Sequence, residues 1–343
     1  MTTSIFAFGL GVGTHNSSGE WLEVFYPEPV LSPSVAVAEC VAQLGLSESN
    51  NANLSADQLM QLESLLIKAG EAEQAKIAGR LIHSQSPVVA VVLTDDAPPA
   101  TVPEAYLKLH LLSHRLVKPH GTDLTGAFGI LPNVAWTNEG AIDLAELPHR
   151  QLAARLKGEV LEVSCVDKFP KMTNYVVPEG VRIAHTARVR LGAYLGKGTT
   201  IMHEGFVNFN AGTEGPGMIE GRISAGVTVG KGSDLGGGAS IIGTLSGGGK
   251  IIVSVGEECL IGANAGIGFP LGDRCTVEAG LYVTAGTKVA MLDSDGNAVE
   301  SVKARELGGK SDLLFRRNSA TGAVECLTNR SAVELNAELH AHN

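Results

Sequence analysis

The sequence predicts a mainly β protein: a left-handed parallel β-helix of hexapeptide repeats, with an α/β domain before it and a small cap after it. Three observations carry this. Branched apolar residues return at every sixth position in four runs: Ile183, Val189, Leu195, Ile201 and Val207; Ile223, Val229, Leu235 and Ile241; Val255, Ile261 and Ile267; Val277, Val283 and Val289. A period of six fits neither a helix nor simple strand alternation, and marks short strands wound round a prism, coil upon coil. Residues 180–286 also hold 26 of the chain's 42 glycines, as expected where corners force the backbone into conformations that strain other residues. The flanks, by contrast, carry ordinary helix and strand signals. The boundaries fall at 1–174, 175–290 and 291–343, and the left-handedness is taken from the repeat type, as an exception to the right-handed parallel crossover.

In the first domain, Ser32-Pro33 reads as a cap before a helix over 35–46. Ser55-Ala-Asp-Gln58 has the spacing of a capping box, followed by Leu59, Leu62, Leu65, Leu66 and Ala69 at helical intervals. The apolar run 88–93 predicts a buried strand, closed by Pro98-Pro99. Residues 103–117 and 142–156 read as helices, the second split or kinked at Pro148. Gly9-Leu-Gly11-Val-Gly13 is glycine-rich, but its spacing is not that of a dinucleotide fingerprint, and a turn follows it rather than a helix; it predicts a tight hairpin.

Each hexapeptide points one branched residue inward, three per coil. The period breaks twice, predicting an ejected loop over 208–222 and a second excursion at 244–250; loops leaving a rigid solenoid are where function concentrates. After Val289 the sequence predicts a turn at 293–297, strands at 302–307, 313–317 and 324–327, and a terminal helix over 331–339 capped by Ser331.

A formal charge of −10 argues against nucleic acid or an anionic membrane as partner. No apolar stretch is long enough to span a bilayer, and the start lacks a signal peptide's basic and cleavage regions, so a cytoplasmic location is expected. Five cysteines without a close pair fit neither a disulfide framework nor a zinc site, and read as buried free thiols.

The runs Met202-His-Glu-Gly-Phe-Val-Asn-Phe-Asn-Ala-Gly-Thr213, Met218-Ile-Glu-Gly-Arg-Ile-Ser224, Gly236-Gly-Gly-Ala-Ser240, Gly243-Thr-Leu-Ser-Gly-Gly-Gly249 and Leu314-Phe-Arg-Arg-Asn-Ser319 closely resemble the tetrahydrodipicolinate N-succinyltransferases of lysine and diaminopimelate biosynthesis. The branch most resembled is that of actinobacteria and pseudomonads, and the resemblance spans nearly the whole chain. It implies transfer of a succinyl group from succinyl-CoA to the amine that forms when cyclic tetrahydrodipicolinate takes up water and opens. It also implies a homotrimer and small-molecule partners only, with succinyl-CoA as co-substrate and no tightly bound organic cofactor.

By motif, Glu220 matches the family's catalytic glutamate; a carboxylate there acts as a nucleophile on the thioester or as a base on the incoming amine. Arg222, two residues on, shares a face with Glu220 if the segment is one extended strand, and could clamp a carboxylate in a bidentate pair. Gly237, Ser240 and Ala263, then Glu278, Ala279 and Gly286, match positions along the CoA arm. Lys303, Arg316, Arg317, Asn318 and Ser319 match positions near its nucleotide end. Glu204 matches a position associated with Mg2+ on a threefold axis, but the companion acid found in some relatives is missing from Ala184-His-Thr-Ala187. His185 and His203 are too few for a zinc hydratase of similar fold. Arg188 and Arg190 flank Val189 and must point outward, to a neighbour or to water. An acetyl transferase acting on the same acceptor is the rival within enzymes. A non-catalytic solenoid is the rival outside them, although the repeats lack the outward threonine rows of an ice-binding surface.

Overall fold

The structure is a computed structural model that describes residues 5–46, 51–243 and 251–328. The chain forms two compact units, one of residues 1–117 and 121–170, the other of residues 118–120 and 171–343.

The first unit holds an antiparallel sheet in the order Trp21–Phe25, Ala7–His15, Val88–Leu93, Asn51–Asn53, with Val30–Leu31 also pairing onto Ala7–His15. Strand alternation sends Phe8, Leu10, Val88, Ala90 and Val92 into one core with the helices Val35–Gln43, Ala56–Ala69 and Ala72–Leu81. Gly9, Gly11 and Gly13 therefore share the opposite face of Ala7–His15. A Cβ on Gly9 would stand 2.7 Å from Leu107 Cδ1 and from Tyr26 Cδ1. Gly9 and Gly11 make room for the Tyr26 ring, Gly13 lies against the Glu23 backbone, and the hairpin turn follows at Asn16–Gly19, where Gly19 N–H donates to Asn16 O.

The capping box at Ser55 forms, and Gly70 ends that helix in the left-handed region. Ser34, not Ser32, caps the first helix, accepting from Val37 N–H, while Ser32 takes a positive φ. Helix Ala72–Leu81 is unannounced in the sequence because Glu71 makes no side-chain cap and its inward face mixes Gln74, Ala75 and Ala78 with only two large apolar residues, Ile77 and Leu81. The helix expected over 103–117 is Val102–Ser113, stopped where Arg115 turns left-handed. Nor do residues 142–156 form one helix: Ile142 lies in the strand Gly140–Asp143, and Pro148 sits in the first turn of helix Leu147–Leu156, where a missing N–H costs nothing. These elements, with strands Val134–Thr137 and Val163–Asp167, form a small layer around Ala135, Ile142, Ala154 and Leu161.

The second unit is a three-faced parallel β-helix. Face one stacks Arg182–Ile183, Thr199–Ile201, Gly217–Ile219, Asp234–Leu235, Leu260–Ile261 and Thr276–Val277. Face two stacks Phe206–Val207, Arg222–Ile223, Ser240–Ile241, Gly266–Gly268 and Tyr282–Thr284; face three stacks Ala193–Leu195, Ala211–Thr213, Thr228–Val229 and Ser254–Val255. The hexapeptide residues from Val189 to Val289 are at most 2 % exposed, so each contributes roughly 1.5–3 kcal/mol of burial to a continuous axis.

Residues 208–222 are not an ejected loop. Ala211–Thr213 and Gly217–Ile219 pair with the coils before and after them, and Thr213 and Ile219 are inward at 1 % and 0 % exposure. The interval of sixteen between Val207 and Ile223 is two ordinary steps and a shortened corner of four. A threonine in the axis hides the period, and its hydroxyl is satisfied locally by accepting from Gly215 N–H. The second excursion, 244–250, lies outside the described residues, as does the expected helix over 331–339.

Beyond the repeats, Leu313–Arg317 pairs in parallel with Thr276–Val277 and extends face one, followed by Val324–Thr328, Lys288–Leu292 and Ala298–Lys303. The strand expected at 302–307 is instead the end of Ala298–Lys303 and a 3-10 turn over Ala304–Leu307. All five cysteines are free. Cys165 is exposed, contrary to the expectation, because it lies on the strand Val163–Asp167, whose residues are only partly covered. Cys259 and Cys275 are buried in a corner ladder, where Cys275 N–H donates to Cys259 Sγ and Cys259 N–H to Ser233 Oγ.

Candidate functional site at one corner of the prism

Successive coils of face one stay in register through Ile219, Leu235, Ile261, Val277 and Phe315. The residue after each one forms a second ladder at the corner toward face two: Glu220 N–H donates to Leu235 O, Gly236 to Ile261 O, Gly262 to Val277 O and Glu278 to Phe315 O. One step further lie Gly237, Ala263, Ala279 and Arg317. Across the corner, face two aligns Phe206, Arg222, Ser240, Gly266 and Tyr282 as register partners, all pointing away from the axis.

This juxtaposes most of the residues the motifs single out. Glu220 is half-buried, and its Oε2 stands 3.4 Å from where a Cβ on Gly237 would lie. Glu220 and Arg222 do not share a strand. The shortened corner places Glu220 just past Gly217–Ile219 on face one, and Arg222 at the start of Arg222–Ile223 on face two, so they flank the corner through Gly221. The side chains of both make no hydrogen bond or ion pair among the described residues. Gly237, Ala263, Ala279 and Ser240 form a track of small residues along the corner.

The residues matched to the nucleotide end divide in two. Arg316 Nε donates to Glu325 Oε2 at 3.0 Å, and Asn318 Nδ2 to Glu325 Oε1 at 2.7 Å. Asn318 Oδ1 also accepts from the amides of Ala320 and Thr321, so Arg316 and Asn318 hold their own hairpin together. Both donors keep the Glu325 carboxyl below its usual range, the Asn318 hydrogen bond foremost. Arg317 N–H donates to Glu278 Oε2 at 2.7 Å, which fixes Glu278 at the end of the track, and its guanidinium reaches Gly322 O. Ser319 and Lys303 are exposed, and Gly286 has open space round it. Lys288, which no motif flagged, lies directly opposite Lys303 in the antiparallel pair. Two like charges so placed repel, and it is cross-strand register that brings Lys288 to the residue the motifs had named.

Glu204 sits elsewhere on the solenoid. Arg188 donates to its Oε2 at 3.1 Å, and His203 Nδ1 lies 3.0 Å from Oε1. Those contacts, the His203 hydrogen bond first, lower its carboxyl's pKa. His185 packs edge-on against His203 with ring centroids 5.1 Å apart. A carboxylate already neutralised by a guanidinium is a poor fit for a divalent cation, and no group of three or more metal-ligating side chains occurs among the described residues. Arg190 is held by Asn208 Oδ1 and lies over the Phe206 ring.

A β-helix of stacked hexapeptides with a carboxylate facing a track of small residues is the architecture of a hexapeptide-repeat acyltransferase. Residues 252–285 match the family described as hexapeptide repeat of succinyl-transferase, and residues 131–171 match tetrahydrodipicolinate N-succinyltransferase middle. A Pseudomonas aeruginosa protein named 2,3,4,5-tetrahydropyridine-2,6-dicarboxylate N-succinyltransferase is 66 % identical over 345 residues, covering 100 % of both chains. A Vibrio cholerae protein of the same name is 62 % identical over 98 % of this chain and 99 % of its own. The crystal structure of a candidate 2,3,4,5-tetrahydropyridine-2-carboxylate N-succinyltransferase from Campylobacter jejuni superposes with a TM-score of 0.88 at 33 % identity, covering 97 % of this chain and 94 % of that one. These matches support the left-handed form of the β-helix. The chain belongs to the tetrahydrodipicolinate N-succinyltransferase family.

Proposed function

We propose that the chain transfers the succinyl group of succinyl-CoA to the amine of ring-opened tetrahydrodipicolinate, giving N-succinyl-2-amino-6-oxopimelate and free CoA, in lysine and diaminopimelate biosynthesis. The observation that carries the site is the Glu220 carboxylate, rigidly placed on the corner ladder, open to reactants and facing Gly237. The acyl donor lies along Gly237, Ser240, Ala263, Ala279 and Gly286, its thioester toward Glu220. Lys303, Lys288 and Arg317 supply positive charge for its phosphates, which a protein of net charge −10 must provide locally.

Two steps suit Glu220. As a nucleophile it attacks the thioester carbonyl and expels CoA thiolate, leaving a mixed anhydride that the amine opens. As a base it takes the proton of the amine while nitrogen attacks the thioester carbonyl directly, the C–S bond breaks and CoA thiolate leaves. Arg222, free on the other side of the corner, pairs with a carboxylate of the succinyl group or of the acceptor. Three chains assemble, and the location is cytoplasmic.

Steady-state assay of Glu220→Ala with both substrates tests the site: a loss of about 10³-fold or more in kcat/KM is expected, and unchanged turnover refutes the role. Mass spectrometry after mixing enzyme with succinyl-CoA alone separates the two steps, since only the nucleophilic route leaves a succinyl adduct on Glu220. Comparing succinyl-CoA with acetyl-CoA tests the donor, and a preference for acetyl-CoA overturns the assignment.

A further inference from the structure

Tyr282 is the fifth outward residue of face two, after Phe206, Arg222, Ser240 and Gly266. Its ring does not project freely. A Cβ on Gly266 would lie 2.0 Å from Tyr282 Cε2 and 2.3 Å from Cδ2 and Cζ, so the ring folds back by one coil and covers Gly266. The ring thus stands beside Ser240, at the level of Ala263 across the corner, and is still 45 % exposed. Only glycine at position 266 permits this. Any side chain there would push the ring away from the track.

We infer that Tyr282 is an acyl-donor recognition residue: its ring, laid over Gly266, is the wall against which the pantetheine arm of the CoA thioester packs. The arm carries apolar methyl groups and flat amides, both of which pack well on an aromatic face. The wall begins one coil beyond Ser240, so it contacts the arm and not the transferred acyl group. This rests on the placing of the donor along the Gly237–Ala263–Ala279 track.

Kinetics with two donors, succinyl-CoA and the truncated thioester of succinate with N-acetylcysteamine, test the inference. Tyr282→Ala is expected to raise KM for succinyl-CoA about fivefold to tenfold, leaving kcat, the acceptor KM and the truncated donor unchanged, while Tyr282→Phe restores the native value. Gly266→Ala, which evicts the ring without removing it, should give the same KM effect as Tyr282→Ala. An equal loss with both donors would mean a structural role only, and overturns the inference. Ala263→Leu, which obstructs the track itself, is the control. If it raises KM for succinyl-CoA and Tyr282→Ala does not, the track stands and Tyr282 is no part of it; if neither changes KM, the track is misplaced and the inference falls with it.

Discussion

Gly236 and Gly237 are adjacent in sequence, yet the structure predicts opposite outcomes for the same substitution. A Cβ on Gly236 would meet Ala263 N at 2.6 Å and Ala263 Cα at 3.0 Å. These are backbone atoms of the next coil and belong to the ladder that holds Gly262 and Val277 in register. Relief requires the coils to separate, so Gly236→Ala should cost about 1–3 kcal/mol as an overpacking defect. For a unit of this size, that lowers Tm by roughly 2–4 °C per kcal/mol. A Cβ on Gly237 would meet only Glu220 Oε2, at 3.4 Å, an ordinary van der Waals distance. Gly237→Ala should therefore change stability by less than about 0.5 kcal/mol. On the proposed placing of the acyl donor, however, its methyl group fills the space through which the thioester reaches Glu220, and a displacement of that kind costs up to about 10²-fold in rate. Thermal melts followed by circular dichroism, alongside CoA release measured with a thiol reagent, read both quantities on the same samples. A Gly237→Ala variant that melts as low as Gly236→Ala, or that keeps full activity, would contradict this placement of the two glycines.

Ile219→Ala distinguishes an axial coil from an ejected loop at 208–222: the structure expects a loss of about 2–5 kcal/mol in chemical denaturation, whereas a loop residue would lose almost nothing. Arg222→Lys keeps the charge but not the paired donors, and should lower kcat/KM by about tenfold or more if the contact is bidentate, with the melting temperature unchanged. His110 is fully buried, with Nε2 accepting from Tyr26 N–H and Nδ1 bonded to Tyr106 O, and burial, only partly offset by that backbone bond, lowers its pKa to about 3. The unfolded chain takes up this proton near pH 6.5 while the folded chain does not. Stability from this group is thus complete above that pH and falls by about 1.4 kcal/mol per unit as pH drops toward 3. Urea melts between pH 4.5 and 6 should show a shallower slope for His110→Asn than for the native chain, and equal slopes would exclude His110 as the source.

Much of the solenoid was legible because its rule is one-dimensional. An inward residue every six positions is a property of the chain's period, and Leu235, Ile261 and Val277 could be placed in the axis without coordinates. The rule failed at Thr213, which is polar, and after Ile219, where a corner is two residues short, so a full coil read as a loop. The capping box at Ser55 was likewise readable, being complete within four residues. Helix Ala72–Leu81 was not, since it lacks a capping side chain and is held by packing Ala75, Ile77, Ala78 and Leu81 into a core shared with the sheet and the other helices.

By itself the sequence determined the period and the family motifs, and so which residues are proposed for the site: Glu220, Arg222 and the small residues that follow them. Only the tertiary structure decided what those residues do for one another. It put Glu220 and Arg222 on two faces of a corner rather than on one strand, and gave Arg316 and Asn318 to Glu325. It also brought Lys288 opposite Lys303 and laid Tyr282 across Gly266. Each of these is a relation between coils or strands, fixed by register and by the length of the intervening corner. Arg316 and Glu325 are nine positions apart, and Gly266 and Tyr282 are partners on successive coils; such pairings leave no local signature in the residues that meet.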